Sequence, residues 1–419
     1  MKFAIYTLGC KVNQYESQAL ERELLRRGYQ QGSFDEPCDL YIVNTCTVTA
    51  VSDKKSRNAL RRARKLRPDA VIGVCGCYAQ VKPEDMEQLD VDVVGGTGDR
   101  SGFIDRMEQF RQDRQRSVQV DNAFRRKGFE QLEAGGLGDR TRAMLKVEDG
   151  CVNFCAYCII PYARGAIRSL PLDAAVEQVQ RLRDMGYREV VVTGIEISSW
   201  GQDLKTGEKT QDLIAAICAA VPELRVRLGS LEPRTIDEDF CKKLRGFPNL
   251  CPQFHLSLQS GCDETLRRMR RKYDTARYLE SCRLLREAFP GCAVTTDLIV
   301  GFPGETEAEF SATLDFLRQA EFASMHIFPY SRRAGTPAYD MPDLVPNAEK
   351  ERRAARAGDV ERELRRAYQT RLVGQTLPVL FEQQDSLGRW TGHAPNYVLV
   401  AVEGADLRNE IRQEIGRAS

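Results

Sequence analysis

Apolar and polar positions change rhythm repeatedly along this chain. Residues 2–8 form a short apolar run, and residues 15–28 then place their apolar side chains every three or four positions. The pair recurs: runs at 39–44, 70–74 and 91–94, with helix-period stretches at about 52–66 and 102–110. Apolar strands alternating with amphipathic helices predict a parallel sheet. From residue 143 the rhythm restarts, with strands expected at 143–147, 189–193, 225–229, 253–258, 294–300 and 324–328. Helices at 172–185, 212–220, 276–288 and 307–319 fill gaps between them. Six such units predict an open six-stranded α/β barrel, related to the closed eight-fold one. A strongly charged helix over 348–371 follows. Short runs at 377–382, 389–393 and 397–402, broken by Gly and Pro, then predict a small antiparallel β barrel. The charged stretch 111–142, with Gly135, Gly136 and Gly138, reads mostly as a solvated connector. The fold class is therefore α/β, divided into 1–115, a linker at 116–140, a barrel over 141–370 and a tail over 371–419.

Charge changes the picture only locally. Of 419 residues 29% are charged, but the formal net charge is +1, so any nucleic-acid footprint must come from clustering. Residues 54–67 carry eight Lys or Arg and no acid, and 267–272 are similarly basic. A solvated face is the ordinary meaning of a charge run, yet a purely basic one suits phosphate contacts. The tail is not basic, with five cations against six acids from Arg371 onward. If it binds RNA, shape and groups such as Trp390, His393, Asn396 and Tyr397 are its means. No run reaches membrane-spanning length, and Met1 leads directly into a strand without a signal peptide. Fourteen cysteines in such a chain indicate reduced thiols in the cytoplasm and metal binding, not a disulfide framework.

The cysteines fall into two sets of three. Cys151, Cys155 and Cys158 have CxxxCxxC spacing. Soft thiolates select iron–sulfur clusters, zinc or copper, and three thiolates on a four-iron cube leave one iron open. Structural zinc needs a closed set of four, and no fourth Cys or His lies near. Cys10, Cys46 and Cys77 each follow a predicted strand. Parallel sheets place ligands beyond their carboxyl ends, so these three converge on one edge. Any one cysteine packs well as a small hydrophobe, but three at successive strand ends form a second site. Cys75 reads as a buried strand residue, and Cys38, Cys218, Cys241, Cys251, Cys262, Cys282 and Cys292 as structural. The scattered His255, His326 and His393 give no metal or hydrolase pattern; His255 and His326 fall within strands, where they either line the site or are satisfied core polar groups, the latter being favoured.

The CxxxCxxC segment resembles the radical S-adenosylmethionine (SAM) enzymes, and the whole chain resembles their methylthiotransferase family. Thr7-Leu8-Gly9-Cys10-Lys11-Val12-Asn13-Gln14 resembles that family's first cluster motif. Asn44-Thr45-Cys46 and Gly76-Cys77-Tyr78-Ala79-Gln80 resemble the second and third, and Asp149-Gly150-Cys151 through Pro161-Tyr162-Ala163-Arg164-Gly165 the SAM-cluster segment. The tail resembles a TRAM domain, a small RNA-binding barrel. The resemblance implies two 4Fe–4S clusters, one on Cys151, Cys155 and Cys158 that binds and cleaves SAM, and an auxiliary one on Cys10, Cys46 and Cys77 that carries the sulfur to be inserted. It implies a second SAM as methyl donor, a flavodoxin- or ferredoxin-like electron donor, and a monomeric enzyme acting on tRNA. Expected SAM contacts are Tyr157, Thr193, Gly194, Glu196, Ser230, Glu232, Gln259, Arg271, Asp297 and Gly301, mostly at barrel strand ends. Gly9 through Ser17 and Ile159 through Gly165 resemble the group that acts on threonylcarbamoyladenosine beside the anticodon. Isopentenyladenosine in tRNA and an aspartate of a ribosomal protein are the alternatives.

Overall fold

Cα packing divides the chain into two compact units. The computed structural model describes residues 1–133 and 141–417, so the glycines at 135–138 lie outside the described residues. The first unit comprises Met1–Gly136, Lys146–Leu170 and Ser331–Tyr339; the second comprises Leu137–Leu145, Pro171–Tyr330 and Asp340–Ser419.

The first unit is built on a six-stranded sheet in the order Gln30–Gln31, Lys2–Thr7, Leu40–Thr45, Val71–Gly76, Val93–Gly95, Ser117–Gln119. All its pairings are parallel. Leu40–Thr45 and Val71–Gly76 are wholly buried, as strands covered on both faces must be. On one face pack Leu20 and Leu24 of helix Lys11–Arg26 with Phe103 and Met107 of helix Arg100–Asp113. On the other pack Leu60 and Ala63 of helix Ala50–Leu66. Strand Lys2–Thr7 lies between Gln30–Gln31 and Leu40–Thr45, so the sheet grows in opposite directions from that point. Such a switch opens a crevice beyond the strands' carboxyl ends.

Two edge strands differ from the sequence expectation. Gln30–Gln31 is short, polar and exposed. Ser117–Gln119 falls in the stretch read as connector. Edge strands held by backbone hydrogen bonds carry no apolar alternation, so periodicity does not register them.

In the second unit, strands Arg142–Lys146, Glu189–Thr193 and Arg225–Leu228 form a three-stranded sheet, and Ser230–Leu231, Gln253–Leu256, Ala293–Val300 and Ser324–Pro329 a four-stranded one in that order. Gly229 interrupts the third strand, where a Cβ would stand 3.1 Å from the Val192 carbonyl oxygen. The order is that of the six expected units. Helix Asn347–Thr370 buries Arg353 against Glu305 at 2.7 Å, despite its charged composition. The tail is an antiparallel four-stranded half-barrel, Leu399–Val402, Trp390–His393, Thr376–Gln384, Ile411–Ile415, over Val379, Phe381, Trp390 and Leu407. Among the described residues no helix is long and apolar enough to cross a membrane.

Candidate functional site

Three adjacent strands of the first unit end in the cysteine turns. Thr7 pairs with Asn44 and Thr45 with Gly76, so Cys10, Cys46 and Cys77 leave the same edge. Gly9 (φ +98°) lies against Cys46: a Cβ there would stand 2.8 Å from both its Cβ and Sγ. Asn13 Nδ2 donates to the carbonyls of Leu8 (2.7 Å) and Thr45 (2.9 Å), tying the Cys10 turn to the Cys46 turn. Thr45 Oγ1 donates to the Cys75 carbonyl at 2.6 Å and accepts from Ala79 N–H, which places helix Cys77–Val81. Arg333, in the returning segment Ser331–Tyr339, binds Asp53 at 2.7 Å and Thr47, beside Cys46.

Burial pushes the Cys77 thiol up to about 12; Arg164 opposes this, while the charges of Cys46 and Cys10 add to it. Burial likewise raises the Cys46 thiol, and Cys10 adds to it. Cys75 packs in the apolar layer with Phe103 and Met107, as its strand position implies, and burial pushes its thiol up to about 11.

The second triplet sits on one tight loop of the same unit. Gly150 (φ +95°) precedes it, and a Cβ there would lie 2.0 Å from the Ala166 carbonyl oxygen. Phe154 takes a left-handed conformation (φ +47°), so the chain wraps back on itself. Cys151 N–H donates to the Gly165 carbonyl and Cys158 N–H to the Cys155 carbonyl, both at 3.0 Å. Ala338 N–H reaches the Ala156 carbonyl at 2.8 Å, and Phe124 stacks on Phe154 with rings 7° from parallel. Cys155 is buried; Cys151, Tyr157 and Cys158 are half-buried. Among the described residues no three His, Cys, Asp or Glu side chains close around one point as the ligands of a single ion do. Cluster ligands stand one to each iron.

Between these elements lies a charge network in which motif residues Glu16, Asp149 and Arg164 meet Arg100, Lys146 and Arg168 from outside the motifs. Glu16 is 0% exposed. It accepts from Arg100 at 2.6 Å, Lys146 at 3.0 Å and Arg164. Asp149, two residues before Cys151, accepts from Lys146 at 2.7 Å and lies 3.5 Å from Arg164 and Arg168. Arg164 also donates to Asn13 Oδ1 at 2.7 Å and, through Nε, to Cys77 Sγ at 3.4 Å. Burial opposes ionisation of Glu16, but Arg100, Arg164 and Lys146 outweigh it and hold the carboxyl well below its usual range. Asp149 is lowered in the same way, by Lys146, Arg164 and Arg168 against burial. The sequence held a signal: Glu16 lies on the Val12–Leu20 face of its helix, and Lys146 interrupts an apolar strand.

In the second unit the expected SAM contacts lie mostly near strand ends, except Asp297 within strand Ala293–Val300 and Arg271 between helices Asp263–Arg268 and Thr275–Ala288. Thr193, Glu232 and Gln259 are buried, Gly194, Glu196 and Asp297 half-buried, and Ser230 exposed. Burial lifts the Glu196 carboxyl to about 7, against the nearby charge of Arg271 and with the help of Glu232. Arg271 lies over the Tyr273 ring and donates to its hydroxyl at 3.0 Å. Gln259 has a left-handed backbone (φ +71°), a conformation a side chain adopts only at a cost in energy. Gly301 (φ +71°) is crowded by Lys350, where a Cβ would stand 2.4 Å from Cγ; helix packing accounts for this glycine. His255 binds Thr295 at 3.2 Å and lies 3.4 Å from Asp297, while His326 on the neighbouring strand is exposed, not a core group.

Of the tail groups offered to RNA by sequence, Tyr397 is exposed while the others are buried or half-buried. Trp390 and Asn396 are buried, and His393 binds Glu382 at 2.7 Å. Tyr397 stacks on His393 and receives Arg227 at 4.7 Å. The basic helix of the first unit is more available. Arg57, Arg64 and Arg67 are tied to Tyr78, Asp92 and Asp39, but Lys54, Lys55, Arg61 and Lys65 are exposed.

Residues 2–96 match the family model described as uncharacterized protein family UPF0004, and residues 145–317 that of the radical SAM superfamily. The threonylcarbamoyladenosine tRNA methylthiotransferase MtaB of Bacillus subtilis is 38% identical over 408 residues, 96% of this chain and 90% of that protein. A tRNA-2-methylthio-N(6)-dimethylallyladenosine synthase of Acidothermus cellulolyticus is 34% identical, over 97% of this chain and 83% of its own. Among solved structures, the radical SAM methyltransferase TsrM of Kitasatospora setae matches with a TM-score of 0.59 at 17% identity, over 81% of this chain and 76% of that one, which shows the shared fold. With both family models matched in order and relatives aligned nearly end to end, the chain belongs to the methylthiotransferase family of radical SAM enzymes.

Proposed function

We propose that this enzyme methylthiolates tRNA, converting N6-threonylcarbamoyladenosine at position 37, beside the anticodon, to its 2-methylthio derivative. The observation that carries the substrate is the nearly full-length likeness to the Bacillus subtilis enzyme, at 38% against 34% for the dimethylallyladenosine enzyme. A radical SAM enzyme uses SAM and a 4Fe–4S cluster, and in this reading Cys151, Cys155 and Cys158 hold that cluster. Cys10, Cys46 and Cys77 hold the second. The donor set suits such a group: the ligand form of cysteine is the thiolate, and a buried guanidinium donating to Cys77 Sγ favours it. When bound, the clusters and SAM supply the electron, the inserted sulfur and the methyl group.

The chain's own residues bind and orient. Tyr157, Thr193, Gly194, Glu196, Ser230, Glu232, Gln259, Arg271 and Asp297 are the residues this reading assigns to SAM, with Arg271 the cation for a carboxylate. Lys54, Lys55, Arg61 and Lys65 meet tRNA phosphates, which supply most of the affinity for nucleic acid. The tail, 371–419, acts as a TRAM-like module by shape, and parts 1–115 and 141–370 carry the two clusters' chemistry. The electron donor is a flavodoxin- or ferredoxin-like protein, and the enzyme works as a cytoplasmic monomer.

Mass spectrometry of nucleosides from bulk tRNA tests this, in cells lacking the gene and after its return. The methylthio group is expected to reappear on threonylcarbamoyladenosine. Reappearance on isopentenyladenosine favours the second reading, which the Acidothermus relative motivates. No change in any tRNA nucleoside moves the substrate to a ribosomal protein.

A further inference from the structure

We propose that Arg164 tunes the auxiliary cluster: its guanidinium, donating to Cys77 Sγ, raises the reduction potential of the cluster on Cys10, Cys46 and Cys77. The proposal rests on the reading that those three cysteines hold a cluster.

Arg164 is 0% exposed, so its charge acts without water to screen it. Its planar fork is fixed on three sides. One terminal nitrogen is held by Asn13 Oδ1 at 2.7 Å, and both terminal nitrogens meet the Glu16 carboxylate. With those nitrogens committed, the direction of Nε–H is imposed, and it points at Cys77 Sγ 3.4 Å away. Reduction adds one negative charge to a cluster, and a cationic donor on a ligand sulfur stabilises that added charge. Removing the donor must therefore make reduction harder.

The residue after Arg164 touches the other triplet. Arg164 ends helix Ile160–Arg164, and the next residue, Gly165 (φ +75°), accepts Cys151 N–H at 3.0 Å. A Cβ on Gly165 would stand 2.2 Å from the Ala123 carbonyl oxygen, so its backbone cannot shift freely. One rigid dipeptide thus sets a hydrogen bond to an auxiliary-cluster sulfur and positions the first cysteine of the SAM-cluster loop.

The test uses full-length protein carrying Cys151→Ser, Cys155→Ser and Cys158→Ser, so that only the auxiliary cluster remains. After anaerobic reconstitution, the cluster is titrated with dithionite and followed by electron paramagnetic resonance. Dithionite gives one electron to each cluster, and no bond to the protein breaks. Arg164→Lys keeps the charge and loses the fork; Arg164→Gln loses both. The potential is expected to fall in the order wild type, Arg164→Lys, Arg164→Gln, at unchanged iron content. Asn13→Ala, which frees one anchor of the fork, is expected to give a smaller fall. Where Arg164→Gln loses iron, Arg164→Lys and Asn13→Ala carry the test. A potential equal to wild type in iron-replete variants overturns the proposal. A parent protein that takes up no cluster defeats the reading of Cys10, Cys46 and Cys77 instead.

Discussion

Glu16 and Glu189 are both fully buried carboxylates shared among cations, one in each unit, yet they serve different ends. Glu16 binds Arg100, Lys146 and Arg164, and Arg164 continues to Cys77. Glu189 binds Arg227 at 2.6 Å, with Arg225 and Arg142 about 4 Å away. Arg227 goes on to the carbonyls of Ala394 and Pro395, and Arg225 to that of Pro378. The first network lies with the cysteines at the carboxyl edge of its sheet. The second begins at the first residue of barrel strand Glu189–Thr193 and fastens the tail half-barrel. In parallel α/β folds the carboxyl edge carries chemistry and the opposite end carries stability. The end of the sheet at which a buried ion pair lies, more than its composition, tells which it does.

The largest expected effect comes from breaking each network. Arg164→Met and Arg227→Met each leave a buried carboxylate short of a partner, which costs about 3–5 kcal/mol. Urea unfolding should show similar losses for both. Only Arg164→Met should also lower the reduction potential of the auxiliary cluster, whereas Arg227→Met should leave that potential unchanged and expose Thr376–Gln384 to protease. A lowered potential in Arg227→Met would erase the distinction. Next in size is Gly165→Ala, which places a Cβ against the Ala123 carbonyl at positive φ and should cost about 1–3 kcal/mol. Its iron content should fall by about half, from the two four-iron clusters to one.

Acid and base should separate the units further. Glu16 is held low, so the stability it confers is present above the ordinary carboxyl range and is lost as pH falls below it. Glu196 behaves oppositely. With its carboxyl lifted from 4.5 to about 7, the folded chain holds a proton that the unfolded chain has released, so stability declines as pH rises through that window. Glu196→Gln should flatten the decline in melting temperature across it. An unchanged slope would remove Glu196 from the account.

Much of this was legible in the sequence. Strand ends mark ligand positions in parallel sheets, and cysteine is rare enough there to stand out at Cys10, Cys46 and Cys77. Barrel strand Glu189–Thr193 was equally plain, because it is buried and largely apolar. Gln30–Gln31 and Ser117–Gln119 were not, since backbone pairing at an edge leaves no apolar pattern. The partners of Glu16 were also hidden: Arg100, Lys146 and Arg164 lie 84, 130 and 148 positions away. In the tail, the barrel arginines that meet Tyr397, Arg142 and Arg227, are likewise distant in sequence, whereas the Glu382 partner of His393 lies only 11 positions away.

The smallest effect concerns the exposed basic helix face. Lys54→Ala with Lys55→Ala should weaken tRNA binding several-fold and lower the salt slope by about one for each phosphate left without its cation. An unchanged slope would place the tRNA elsewhere.

The most direct measurement is iron and acid-labile sulfide per chain in three anaerobically reconstituted proteins: wild type, Cys10→Ser/Cys46→Ser/Cys77→Ser, and Cys151→Ser/Cys155→Ser/Cys158→Ser. Two separate clusters require about eight of each in wild type and about four in either variant. Four in wild type, or zinc in place of iron, would contradict the account.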